Sequence, residues 1–158
     1  MKALICGSFD PVTNGHLDII KRAAAIFDSV TVGIFVNSAK KYFFDLSERA
    51  EMLTEATKEI KNVLIDTSEG YVADYVKENG IDVIVKGVRN SVDFEYEANM
   101  ARINKQLYSG AETLLLVAPA ETEELSSSLV KESFAKGKDV SRYVPECVTR
   151  MFSEKKCK

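Results

Sequence analysis

Short apolar runs alternate with amphipathic stretches along most of the chain, and the alternation predicts its elements. Residues 2–6 (KALIC) form an apolar run that stops at Gly7. From His16 to Phe27, Leu17, Ile20, Ala24 and Phe27 recur at helical spacing on one face. Ser29–Val36 (SVTVGIFV) is β-branched and predicts a strand. Asp45 and Glu48 have capping-box spacing, and Ala50, Leu53, Ala56 and Ile60 then mark a helix. A short strand is predicted over Val63–Asp66. A helix follows over Gly70–Asn79, closed by Gly80 at its C-terminal end. Asp82–Lys86 (DVIVK) reads as a strand, Asp93–Tyr108 as a long helix and Thr113–Val117 (TLLLV) as a buried strand. Two helices close the chain, over Ser126–Lys136 and Pro145–Glu154, with Pro145 suited to a first turn.

Strand and helix in alternation imply βαβ crossovers, hence an α/β fold: a doubly wound, parallel, five-stranded sheet covered on both faces. The almost wholly apolar strands TLLLV and DVIV agree, since strands of a parallel sheet are buried on both sides. In such a sheet ligands bind beyond the C-terminal strand ends, near the switch in strand order. The loops after residues 6, 36, 66, 86 and 117 are therefore where chemistry is expected.

Composition narrows the class. The chain has 158 residues, 46% of them hydrophobic and 28% charged, enough apolar surface for one core and far from a disordered chain. No repeat or Pro/Gly-rich linker divides it, so a single domain over residues 1–158 is expected, with a C-terminal helix at about 145–155. The 24 acidic residues outnumber the 21 basic ones, which argues against a protein that coats nucleic acid. The N-terminal apolar stretch is too short for a secretory h-region, and no run approaches the roughly 18 apolar residues of a membrane span. Cys6, Cys147 and Cys157 are odd in number and far apart, and His16 is the only histidine. A disulfide framework and a structural metal site are thus not expected, and a reducing cytoplasm is.

Five clusters carry the candidate chemistry. Gly7-Ser8-Phe9-Asp10-Pro11-Val12-Thr13-Asn14-Gly15-His16 joins the first strand to the first helix, where exposed backbone N–H groups and a helix N-terminus favour phosphate. His16 adds two ring nitrogens able to donate to a phosphoryl oxygen. The plainer reading, a turn shaped by Gly and Asn with a surface histidine, stands beside this one. The loop is neither a dinucleotide fingerprint nor a P-loop. Ser38-Ala39-Lys40-Lys41 offers two point charges after the second strand, or simply a solvated lysine pair. Lys86-Gly87-Val88-Arg89 places two cations directly after a buried strand, which favours phosphate binding over surface charge. Asp93-Phe94-Glu95-Tyr96-Glu97 opens the long helix with acidic residues that suit its dipole. Leu125-Ser126-Ser127-Ser128-Leu129-Val130-Lys131-Glu132 brings three serines to a helix start, of which a cap explains one. No nucleophile elbow, H-E-x-x-H or conspicuous carboxylate pair is present. The inventory suits transfer between phosphates, where positioning and charge stabilisation do most of the catalysis.

Together these clusters resemble a known family. Thr13-Asn14-Gly15-His16 is similar to the (H/T)-x-G-H signature of the nucleotidyltransferase α/β-phosphodiesterase superfamily. Ser126-Ser127-Ser128-Leu129-Val130-Lys131-Glu132 resembles its second, KMSKS-type signature. The combination of GSFDPVTNGH, KGVRNSVDFEYE and SSSLVKE, in order and in register from about residue 2 to about residue 150, resembles the bacterial phosphopantetheine adenylyltransferases. That resemblance implies a Rossmann-like nucleotidyltransferase fold and a reaction: ATP and 4′-phosphopantetheine give dephospho-coenzyme A and pyrophosphate, by direct in-line attack, in the penultimate step of coenzyme A synthesis. It implies Mg²⁺ with ATP, a homohexamer, and coenzyme A as feedback inhibitor, with no nucleic acid or membrane partner. His16 matches the transition-state stabiliser and Lys40 the lysine near the reacting phosphate. Ser8, Phe9, His16, Gly87, Val88, Arg89 and Glu97 match ATP contacts, with Thr122, Glu123, Glu124, Leu125, Ser126, Ser127 and Ser128 as the loop over ATP. Ser8, Lys40, Val72 and Lys86 match the acceptor side. Cys6 stands where proline is common, Ser8 where threonine is, Lys86 where arginine is, and Thr122-Glu123-Glu124 replaces an aromatic-containing stretch.

The rival readings are another small-molecule nucleotidyltransferase of the superfamily and a non-catalytic nucleotide-binding module. The SSSLVKE ending argues against the glycerol-phosphate and nicotinamide-nucleotide enzymes. A binding module would not need His16 and Lys40 to converge on one phosphorus.

Overall fold

The computed structural model describes residues 1–37 and 39–156; Ser38 of the lysine cluster and Cys157 lie outside them. Five parallel strands, β1 (Lys2–Gly7), β2 (Ser29–Phe35), β3 (Val63–Ser68), β4 (Val83–Val88) and β5 (Thr113–Val117), form one sheet in the order β3-β2-β1-β4-β5. The helices are α1 (Asn14–Ile26), α2 (Leu46–Thr57), α3 (Val72–Asn79), α4 (Ser91–Leu107), α5 (Ser127–Ala135) and α6 (Glu146–Lys156), with a 3₁₀ turn at Ala120–Thr122.

Side-chain alternation along the central strands builds a core on each face of the sheet. Ala3 and Ile5, with Val30, Val32, Ile34, Val83 and Val85, face the larger core beneath α1, α2, α5 and α6. Leu4 and Ile84 face the smaller one, closed by Val76 of α3 and by Ala111. This two-sided burial is the doubly wound arrangement that the strand–helix alternation predicts.

Local signals place the element ends. Asp45 caps α2 by accepting from Glu48 N at 2.9 Å, and Glu48 returns the bond to Asp45 N at 2.9 Å. Gly80 ends α3 in the left-handed region at φ 59°, which costs glycine little. The buried stripe of α2 is Arg49, Met52, Leu53 and Thr57, rotated from the predicted Ala50, Leu53, Ala56 and Ile60 face. Ala50, Ala56 and Ile60 are only partly buried against the core.

Two expectations are corrected. TLLLV is not buried on both sides: β5 is the sheet edge, with Leu114 38% and Val117 69% exposed. Strand β4 also runs past Lys86 to Val88, because Lys86, Gly87 and Val88 continue to pair with Leu115, Leu116 and Val117. Residues 87–88, predicted to begin the phosphate loop, are therefore strand.

The sheet also opens where strand order reverses. β1 and β4 pair only from Ala3–Ile5 to Val83–Val85, whereas β1 stays paired with β2 as far as Gly7. Beyond Ile5 and Val85 the two central strands part, and a cleft begins there.

Candidate active site

The cleft is a cavity of about 300 Å³ beyond the C-terminal ends of β1 and β4, walled by Cys6, Gly7 and Ser8 on one side and Lys86, Gly87 and Arg89 on the other. The starts of α1 (Thr13, Gly15, His16) and α5 (Ser126, Ser127) complete it. Two helix N-termini and two cations thus meet at the switch point, an arrangement that favours an anionic ligand.

His16 is held by a capping box in which it takes the place of the usual glutamate. Thr13 Oγ1 accepts from His16 N at 3.3 Å, and His16 Nδ1 accepts from Thr13 N at 3.0 Å. A backbone N–H can only donate, so Nδ1 is the unprotonated nitrogen and Nε2 carries the hydrogen. The expectation of two donating nitrogens is thereby corrected to one. Burial, and then the charges of Arg89 and Lys86, push the His16 pKa down to about 4, so the ring is neutral at pH 7. As the sole histidine, it gives a single imidazole titration by NMR, expected near pH 4 instead of 6.5. A midpoint above 6 would contradict this geometry. The sign for stability follows: between about 4 and 6.5 the unfolded chain holds the extra proton, so acidification through that window removes stability.

The cations facing the cavity are already paired. Lys86 Nζ lies 3.3 Å from Glu97 Oε1 and donates to Cys6 O at 3.2 Å, bridging the gap between the parted strands. Burial opposes its charge, but Cys6 and Glu97 outweigh that and push its pKa up. Glu97 Oε2 is buried with no hydrogen-bond partner. Arg89 makes a two-pronged contact with Asp93, Nε at 2.7 Å and Nη2 at 3.0 Å, and Nη1 donates to Leu125 O at 2.8 Å. The hydrogen bond to Asp93 holds Arg89 firmly charged and lowers the Asp93 pKa. The acidic start of α4 is therefore more than a complement to its dipole: Asp93 and Glu97 pair with the cavity's two cations and keep them protonated.

The serine run divides its work. Ser126 caps α5 through Leu129 N at 3.1 Å, Ser127 Oγ donates to Pro11 O at 2.7 Å, and Ser128 is exposed. One serine thus ties the second signature to the first.

The structure gathers Ser8, Phe9, His16, Lys86, Gly87, Arg89, Glu97, Thr122, Leu125, Ser126 and Ser127 around the cavity. Lys40, Val72, Val88, Glu123, Glu124 and Ser128 are not among its walls. Lys40 is exposed on the bend after β2, Val88 is buried in β4 beside Val117, and Val72 packs against the smaller core. Glu123 and Glu124 are exposed beyond the 3₁₀ turn. Sequence reasoning gave no role to Asp10, Thr13, Arg49 or Lys131, although three of them stand inside quoted motifs. Asp10 is 2% exposed and accepts from Phe43 N at 3.0 Å, Phe44 N at 2.8 Å and Lys131 Nζ at 2.7 Å.

Among the described residues no three His, Cys, Asp or Glu side chains are grouped to hold a metal, and Asp93 and Glu97 are spent on Arg89 and Lys86. The residues present do not fit a metal held by the protein alone. No helix of the described residues is long and apolar enough to cross a membrane.

Comparison with known proteins decides the family. The cytidylyltransferase-like family model matches residues 4–133. A phosphopantetheine adenylyltransferase from Shouchella clausii is 44% identical over 155 residues, covering 98% of each chain. Another from Pseudarthrobacter chlorophenolicus is 49% identical over 152 residues, 95% of this chain and 91% of the relative. The chain belongs to the phosphopantetheine adenylyltransferase family. A third relative of that name, from Renibacterium salmoninarum, is 46% identical over 158 residues. A solved structure of a candidate nicotinate-nucleotide adenylyltransferase from Vibrio parahaemolyticus superposes with a TM-score of 0.74 at 16% identity, over 97% of this chain and 91% of that one, and shows that the fold is shared.

Proposed function

We propose that the chain transfers the adenylyl group of ATP to 4′-phosphopantetheine, releasing pyrophosphate and forming dephospho-coenzyme A on the way to coenzyme A. Family membership at 44–49% identity supports the reaction. The observation that carries the site is the cleft at the β1/β4 switch point, which gathers a neutral histidine, two cations and two helix N-termini.

The acceptor phosphate is already an anion, so no general base is required. The barrier is the repulsion between two phosphates, offset by Lys86, Arg89 and the helix starts. His16 Nε2–H donates to the α-phosphoryl oxygen as charge builds there. Lys40 enters from the loop after β2 and Val72 lines the pantetheine arm. Glu97 borders the nucleotide, and residues 122–128 close over it. Mg²⁺ arrives as the ATP complex, part of the substrate. Coenzyme A, which contains the product's skeleton, competes for the same cleft.

Pyrophosphate release from ATP, assayed with 4′-phosphopantetheine, with nicotinamide mononucleotide and with glycerol phosphate as acceptors, tests this reading. Release only with 4′-phosphopantetheine is expected; binding of ATP without release would make the chain a nucleotide-binding module. With a chiral α-thio ATP the configuration at phosphorus should invert. Retention, or an adenylyl group trapped on Ser126, Ser127 or Ser128, would overturn direct transfer.

Oligomerisation and a cytoplasmic setting belong to the same proposal. Helix α4 buries only Asn104 and leaves Val92, Phe94, Tyr96, Ile103 and Leu107 exposed beside Leu114 and Val117 of β5. These exposed apolar side chains support association between copies, and the family resemblance sets the expected number at six. Sedimentation velocity tests it, and a monomer at assay concentration would refute it.

A further inference from the structure

Phe9 is the one non-glycine residue with a positive φ among the described residues, at 48°. Side chains are disfavoured in the left-handed region and persist there when the surroundings over-determine them. Phe9 is 2% exposed, its ring lies over Gly7, and it stands edge-on to the His16 imidazole with centroids 5.1 Å apart. The imidazole is thus fixed by two neighbours: Thr13 sets its tautomer and Phe9 its plane.

The Phe9 turn is gripped from both sides by buried charges. On one side the Asp10 carboxylate takes the three donors of Phe43, Phe44 and Lys131. On the other, Arg49 Nη1 donates to Ser8 O at 2.9 Å. Arg49 is 1% exposed and forms no ion pair with a described carboxylate. Its other partners are Asp45 O at 3.2 Å and the Tyr42 ring, 4.1 Å from the guanidinium carbon. A guanidinium buried without a carboxylate is costly, and an apolar side chain of similar volume would pack as well. Packing alone does not call for a charge here. What the charge does is hold the carbonyl of a residue that walls the cavity.

We propose that Arg49 is a positioning residue for catalysis: its grip on the Ser8 carbonyl holds the left-handed turn at Phe9, and through it the plane of the His16 ring. The inference rests on His16 being the donor to the reacting phosphate.

The test is a double-mutant cycle between Arg49→Met and His16→Ala in the full chain. Arg49→Met should lower kcat by about 10²-fold, as misplacement of about 1 Å does, with the KM of both substrates changed by less than about threefold. In the His16→Ala background the same substitution should lower kcat by less than about twofold, because the group it positions is gone. Arg49→Lys, which keeps a donor, should recover much of the loss. Multiplicative losses in the double variant, or Arg49→Met within about threefold of the parent, would overturn the role of Arg49 while leaving His16 in place. His16→Ala near parental activity would overturn the reading of His16 and, with it, this one. If Arg49→Met does not fold, Arg49→Gln, whose shorter side chain falls short of the Ser8 carbonyl, carries the cycle, with the sole imidazole's NMR shifts as readout. Shifted imidazole resonances and non-multiplicative losses are expected, and unchanged imidazole shifts in Arg49→Gln together with multiplicative losses would refute the positioning role.

Discussion

His16→Ala is expected to lower kcat by about 10²–10³-fold, the effect of deleting one preorganised donor to a developing oxyanion, about 2.7–4 kcal/mol. The size follows from how the ring is prepared. Nδ1 is committed to Thr13 N, so the remaining Nε2–H needs no reorientation when charge builds. The ring is also neutral, because burial and the nearby Arg89 and Lys86 hold its pKa at about 4. It acts by hydrogen bonding and donates no ionic charge, so kcat should show no inflection near pH 6.5 that traces to His16. Losing half of the capping box costs the fold about 1 kcal/mol, which thermal unfolding will register as a modest loss. Initial rates of pyrophosphate release measure the effect. A variant within a few-fold of the parent would remove His16 from the mechanism.

The second large effect is expected at Lys86. Lys86→Met removes the cation paired with the half-buried Glu97 carboxylate, and leaving such a group without its partner costs about 1–3 kcal/mol of stability. Catalysis should suffer separately, because the ammonium sits where β1 and β4 part and offsets the repulsion between the reacting phosphates. The KM for 4′-phosphopantetheine is expected to rise, or kcat to fall, by about 10²-fold, the cost of truncating a buried charged partner of an anion. The KM for ATP should change little. Pairing the change with Glu97→Gln separates the two effects: stability returns, and the acceptor defect remains. Lys86→Arg keeps the charge and should be tolerated. A collapse of ATP affinity with normal acceptor KM would move Lys86 to the nucleotide side.

Much of the site was legible because its parts are local in sequence. Thr13 and His16 are three residues apart, and one helical turn is enough to make their box. The Asp45–Glu48 box, the Gly80 stop and the Ser126 cap are local in the same sense, and the spacing of side chains predicted each terminus to within a few residues. The resemblance then assigned roles to positions that single motifs left open. What escaped were pairings across the chain. Lys86 meets Cys6 O, Arg49 meets Ser8 O and Lys131 meets Asp10, over separations of 80, 41 and 121 residues. An arginine in an amphipathic helix reads as surface, and nothing nearby in sequence marked Arg49 as core.

The order of strands and helices, the parallel sheet and the expectation of a cleft beyond the strand ends came from sequence alone, because hydrophobic period and capping chemistry act over a few residues. Tertiary structure decided the rest. It made TLLLV an exposed edge, since membership of an edge depends on which strand finds no further neighbour. It turned Gly87 and Val88 from loop into strand, since β4 extends as far as β5 offers partners. It also chose the histidine tautomer and paired Arg89 and Lys86 with Asp93 and Glu97. Charge and proton position depend on distances of a few ångströms between groups, and only the packed chain sets those distances.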